Sequence, residues 1–146
     1  MSSPDPLVAG SQRRQVRERA LGLLYEAETK GADMAELLAD QELPLDPYAH
    51  TLVSGAAEHQ NEIDARLEEF SDRWPVARMP ALDRAILRLA SFELAHSTDI
   101  SVAVIINEAV ELAHEYSTPA SAGFINGLLS QVAAVVRPSE GQKEDL

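Results

Sequence analysis

The chain of 146 residues contains no cysteine. That excludes a disulfide scaffold, a zinc ribbon or finger, a thiol nucleophile and a thiol redox centre. Long apolar runs are missing too. The most apolar stretch, Val102 to Ile106, falls far short of the roughly 20 residues a membrane helix needs. The N-terminus, MSSPDPLVAGSQRRQVRERA, places its arginines after a short, weakly apolar stretch. A signal peptide has the opposite order. No membrane association is expected, and the expected location is cytoplasmic. No GxxxxGK[ST] or GxGxxG loop occurs, and the seven glycines are scattered. His50, His59, His96 and His114 form neither HExxH nor an i,i+4 ligand pair. Ser54 has no base at a recognisable position. No catalysis, metal or cofactor is therefore expected. Basic residues are in the minority: 12 Lys and Arg face 24 Asp and Glu, a formal net charge of −12. A uniformly basic nucleic-acid clamp is excluded, but a locally basic site is not, because binding depends on the local field.

What is present reads as helix. Apolar residues make up 45% of the chain and charged residues 25%, the balance of one globular domain. Residues 1–11 read as a flexible arm, 12–137 as a single all-helical domain and 138–146 as a flexible acidic tail. A first helix is expected from Gln12 to Lys30, with Val16, Ala20, Leu23, Leu24 and Ala27 on one stripe and Gly31 as its stop. A short helix follows near Met34–Asp40, then a long one over Pro47–Ser71 and another starting near Pro80. The β-branched VAVII run at Val102 continues without a turn residue into NEAVELAHEY, so Val102–Tyr116 reads as helix. Thr118-Pro119 forms a cap and first turn for a last helix ending near Val136. The expectation is a compact all-α bundle of six to seven helices.

The strongest charge feature lies at the start of the first helix. Residues 11–20 carry Arg13, Arg14, Arg17 and Arg19 against one glutamate, whereas residues 21–77 carry three basic residues against thirteen acids. At helical pitch Arg14 and Tyr25 point only about 20° apart. Arg17 lies between this face and the apolar stripe. Arginine forks suit phosphate oxygens, and tyrosine can stack on an unpaired base. The combination suits single-stranded RNA better than duplex DNA. A solvated cluster that complements the acidic body, or fills a protein contact, explains the same residues. Asn107-Glu108 and Asn126-Gly127 interrupt apolar helices. They are expected to serve structural roles, the amides pinning donors inside the bundle and Gly127 allowing close helix packing. Arg84 and Arg88, one turn apart with Glu93 following, fit a salt-bridged face or an extension of the RNA surface.

Four blocks, RERALGLLYEAE, ALDRAILRLASFEL, VIINEAVELAHEYS and SAGFINGLLSQVA, taken together and in this order, resemble the NusB family of bacterial transcription antitermination proteins. The likeness spans about residues 12–137, and the acidic, alanine-rich composition resembles an actinobacterial version. The resemblance implies two packed helical subdomains, no catalysis and no cofactor. It implies binding of boxA RNA together with ribosomal protein S10 (NusE), in a complex that joins other Nus factors and RNA polymerase on ribosomal RNA operons. It leaves both a monomer and a homodimer open. Carried onto this chain, it assigns RNA contacts to Arg13, Arg14, Arg17, Tyr25 and Arg88, and architectural roles to Asn107, Glu108, Asn126 and Gly127. Replacing Arg14 and Arg17 by alanine is expected to leave folding nearly intact. One departure stands out. In residues 117–123 Ala120 replaces an acidic side chain common in the family, so contacts there are either lost or taken over by Ser121. A protein-only adaptor or dimeric scaffold is the rival reading. An RNA cytosine methyltransferase, to which a related domain is fused in some proteins, is disfavoured by the missing cysteine.

Overall fold

The computed structural model describes the backbone of residues 6–140 and the side chains from residue 13 onward. Among the described residues the secondary structure is entirely helical. The elements run α1 (Pro6–Lys30), α2 (Met34–Ala39), α3 (Pro47–Glu58), α4 (Gln60–Phe70), α5 (Ala81–His96), α6 (Val102–Tyr116) and α7 (Pro119–Val136), with a 3-10 turn at Val76–Arg78 before α5.

Local chemistry sets most of these boundaries. Gly31 takes a positive φ of 63°, and the amides of Gly31 and Ala32 bond back to the carbonyls of Glu28 and Ala27. This is a Schellman stop, in which glycine avoids the strain a Cβ would bring. Asp33, Asp46, Ser101 and Thr118 each accept a hydrogen bond from an amide in the first turn of the helix they cap. Pro47 and Pro119 occupy the first turns of α3 and α7, where a missing N–H costs nothing.

The bundle has two packed subdomains. Helices α1–α3 form one and α4–α7 the other, and α5 is the shared spine, packing against α1, α3, α4, α6 and α7. One continuous core results. It runs from Ala20 and Leu23 on α1, through Leu52 and Val53 on α3 and Ile86, Leu89 and Leu94 on α5, to Ile125 and Leu129 on α7. Helix α7 is apolar and long enough to cross a membrane by composition alone. Here Ile125, Leu128, Leu129 and Val132 face the core, while Asn126, Ser130 and Gln131 face solvent, the pattern of a core helix.

Three boundaries differ from the sequence expectation. The long helix over Pro47–Ser71 is broken at His59 (φ −98°, ψ 15°). The apolar face before the break packs on α1 and α5, whereas Ile63 and Leu67 after it pack on α5 and α7; one straight helix cannot serve both. Helix α1 starts at Pro6, not Gln12, with proline again at a favourable first position. At the other end, Pro138–Glu140 is helical, and Glu140 accepts a hydrogen bond from the Val102 amide at the start of α6. Residues 1–5 of the expected arm and 141–146 of the expected tail lie outside the described residues.

Candidate functional site

The start of α1 carries a cluster of solvent-accessible cations, while the other exposed ones among the described residues, Lys30, Arg73 and Arg78, are scattered. Arg13 is exposed and makes no ion pair with a described residue. Arg14 is 42% exposed, 3.6 Å from Glu108 and 4.0 Å from Glu111 on α6. Such long, partly solvated pairs contribute about 0–1 kcal/mol, so Arg14 can exchange them for a phosphate at small cost. Arg19 is exposed on another side of the helix and donates to the Gln41 side chain at 2.6 Å. Tyr25 is 42% exposed and lies on the Arg14 side of α1. Glu18 lies between them and accepts from the Tyr116 hydroxyl at 3.1 Å. Slight burial and the hydrogen bond to the Glu18 carboxylate raise the Tyr116 pKa above its ordinary value. The result is a shallow strip beside α6 with Arg14 at one end and the Tyr25 face at the other, and Arg13 leaves α1 about 100° round the helix from Arg14.

Other expected site residues are placed differently. Arg17 is not on this surface. Its side chain is 2% exposed, and its Nε and Nη2 donate to the two carboxylate oxygens of Glu93 on α5, both at 2.8 Å. Burial opposes its charge, but the hydrogen-bonded Glu93 carboxylate outweighs this and raises the Arg17 pKa further. A polar group taken out of water needs this kind of full pairing, so the boundary position on the helical wheel resolves inward. Arg88 spends its fork in the same way, donating to Asp64 at 2.9 and 2.8 Å with Glu28 3.7 Å away. Its side chain is only 13% exposed, lining a cavity of about 270 Å³ with Leu24, Glu28, Met34 and Gln60. Asn107, Asn126 and Gly127 are exposed, so neither amide pins the bundle interior. A Cβ at Gly127 would meet nothing within 4 Å, which removes close packing as its reason. Glu108 is half-buried and faces Arg14.

The 117–123 segment is settled by a residue that sequence reasoning passed over. Asp83, fully buried at the start of α5, accepts from Ser117 Oγ at 2.8 Å and Ser121 Oγ at 2.7 Å. Thr118 caps the Ser121 amide. Ser121 therefore points inward and cannot replace a lost surface contact, while Ala120 stays exposed. Glu93, expected on a salt-bridged face with Arg84 and Arg88, pairs with Arg17 instead, and polar roles for Tyr48 and Arg137 were missed. Tyr48 donates to Glu93 at 2.9 Å and lies 2.9 Å from Ser97 Oγ. Burial, reinforced by the Glu93 carboxylate, pushes its hydroxyl up to about 12. Arg137 is buried and donates to the carbonyls of Glu93, Leu94, Ser97 and Ile100 around the end of α5. The one available signal was type: Glu93 and Asp83 sit at apolar-face positions of a strongly amphipathic helix. Among the described residues no group of His, Asp and Glu could hold a metal ion.

This chain is similar over most of its length to proteins of one family. The NusB family model matches residues 14–134. The transcription antitermination protein NusB of Kineococcus radiotolerans is 45% identical, covering 83% of this chain and 92% of that protein. The protein of the same name from Acidothermus cellulolyticus is 46% identical, covering 84% and 87%. Both agree with the actinobacterial cast of the composition. Among solved structures, Thermotoga maritima NusB superposes with a TM-score of 0.79 at 28% identity, covering 97% of this chain and 99% of that one. A crystal structure of the antitermination factors NusB and NusE in complex with double-stranded RNA gives 0.74 at 25% identity, covering 84% and 96%.

Proposed function

Because the chain belongs to the NusB family of antitermination factors, we propose that it captures boxA-type single-stranded RNA jointly with ribosomal protein S10 (NusE), using the exposed start of α1. Arg13 and Arg14 take phosphates, and Tyr25 stacks on a base. The observation that carries this reading is selective: of the five family-implied contact residues, Arg13, Arg14 and Tyr25 are open to solvent, while Arg17 and Arg88 are already forked onto carboxylates. Binding is shared, since two contacts on an acidic protein give little affinity alone and S10 completes the surface. The complex then joins other Nus factors and RNA polymerase, in the cytoplasm, to sustain transcription of ribosomal RNA operons. The chain is non-enzymatic, as the family is. Whether a second copy competes for the same strip is read by sedimentation across concentration.

The test is a fluorescence-anisotropy titration of a boxA-like single strand, with and without S10, across a salt series. Replacing Arg13 and Arg14 together by alanine is expected to flatten the log–log salt slope by about 1.4, two contacts at roughly 0.7 each for a single strand. A duplex arm belongs in the same experiment, because the related complex contains double-stranded RNA. Absence of binding in every arm supports the rival, a protein-only adaptor. That rival has one observation in its favour: Arg14 already faces Glu108 and Glu111.

A further inference from the structure

The most deeply buried charged group on α1 lies in the middle of its exposed contact set. Around the helical wheel Arg17 is about 40° from Arg13 on one side and about 60° from Arg14 on the other. Its planar fork meets Glu93 with both oxygens engaged, and Glu93 is itself held. The Tyr48 hydroxyl, from α3, donates to Glu93 Oε2 and touches Ser97. The Arg137 guanidinium grips the backbone carbonyls of Glu93 and Ser97. Two helices, α3 and α5, and the C-terminal segment thus converge on Glu93, the partner of one side chain of α1.

Hydrophobic packing is non-directional and tolerates a helix turning about its axis. A bidentate arginine–carboxylate pair does not, because both bonds must keep length and plane. A 20° turn of α1 shifts a side chain at its ~6 Å outer radius by about 2 Å. That is enough to break a phosphate hydrogen bond. A buried ion pair is often no more stable than an apolar replacement, so stability alone gives little reason for this one.

We propose that Glu93 and Tyr48 are positioning residues for RNA capture: by holding the Arg17 fork they fix the rotation of α1, and with it the directions in which Arg13, Arg14 and Tyr25 leave the helix. This rests on the α1 strip being the RNA surface. Arg17 contributes geometry, not a phosphate contact.

The experiment compares the wild-type chain with two variants. In the first, Arg17→Met is combined with Glu93→Leu, replacing the pair by apolar side chains of similar size. In the second, Tyr48→Phe removes one hydroxyl and no charge. RNA affinity in the presence of S10 and the thermal midpoint are measured together. The apolar pair is expected to melt close to the wild type yet bind RNA about tenfold more weakly, and Tyr48→Phe to bind about two- to threefold more weakly, the range found for mutations along coupled networks. A merely structural pair would move affinity and midpoint together or leave both unchanged. Wild-type affinity in whichever variant folds overturns the proposal. If the wild type binds RNA only through another surface, the α1 reading falls and the proposal with it.

Discussion

Arg14 and Arg17 stand three residues apart on one helix and have opposite fates. Arg14 keeps a solvated guanidinium at long range from two carboxylates, while Arg17 surrenders its hydration to Glu93. Substitution separates them. Arg17→Ala leaves Glu93 buried and unpaired and is expected to cost about 3–5 kcal/mol, whereas Arg13→Ala is expected to stay within about 0.5 kcal/mol; urea unfolding of the two variants measures both. The burial of Arg17 on Glu93 thus argues against the expectation that replacing Arg14 and Arg17 together leaves folding nearly intact. Tyr48 adds a pH signature. Its folded pKa, near 12, lies above the ordinary value of about 10. The stability it contributes is therefore complete below about pH 10 and is lost as pH rises towards about 12. Wild type is expected to lose stability more steeply over that window than Tyr48→Phe, as alkaline thermal melts will record. The sequence placed Arg17 at the edge of the apolar stripe, which was the correct warning. It could not supply the partner, because Glu93 lies 76 residues away and nothing local marks the pairing.

At the scale of elements, most of the fold was legible because caps and stops are local. Gly31, Asp33, Asp46, Ser101 and Thr118 act within a few residues of themselves. The VAVII segment is helical as its continuation implied. The break at His59 was not legible, since it reflects which neighbours α3 and α4 must reach. There the rings of His59, Phe92 and His96 pack together, with His59 and His96 centroids 4.5 Å apart. Two glycines make opposite predictions from this level. A Cβ on Gly55 would run into the Phe92 ring, so Gly55→Ala is expected to destabilise by about 1–3 kcal/mol through overpacking. Gly127 sits exposed inside α7 with open space around it, so Gly127→Ala is expected to stabilise by about 0.5–1 kcal/mol through backbone entropy. Chemical denaturation of the pair checks both signs.

At the scale of the molecule, α5 is the spine on which both subdomains are aligned, and near its C-terminal end Arg17 of α1 and Tyr48 of α3 meet Glu93. Arg137 satisfies four carbonyls around that end, and Glu140 caps α6 beside it. The proposed RNA strip lies at the start of α1, where Arg13 is exposed and Arg14 faces Glu108 and Glu111, on a chain with a net charge of −12. RNA capture thus requires the local positive potential at α1 to exceed long-range repulsion, an effect that salt screens over about 8–10 Å. The basic cluster was legible as a cluster. Its division into solvated and buried members required the tertiary contacts. The most direct measurement is residue-level crosslink mapping of the RNA–S10 mixture with this protein. Crosslinks are predicted at Arg13, Arg14 and Tyr25, with Arg17 and Arg88 silent. A map that leaves the start of α1 untouched and clusters on another face would contradict the assignment.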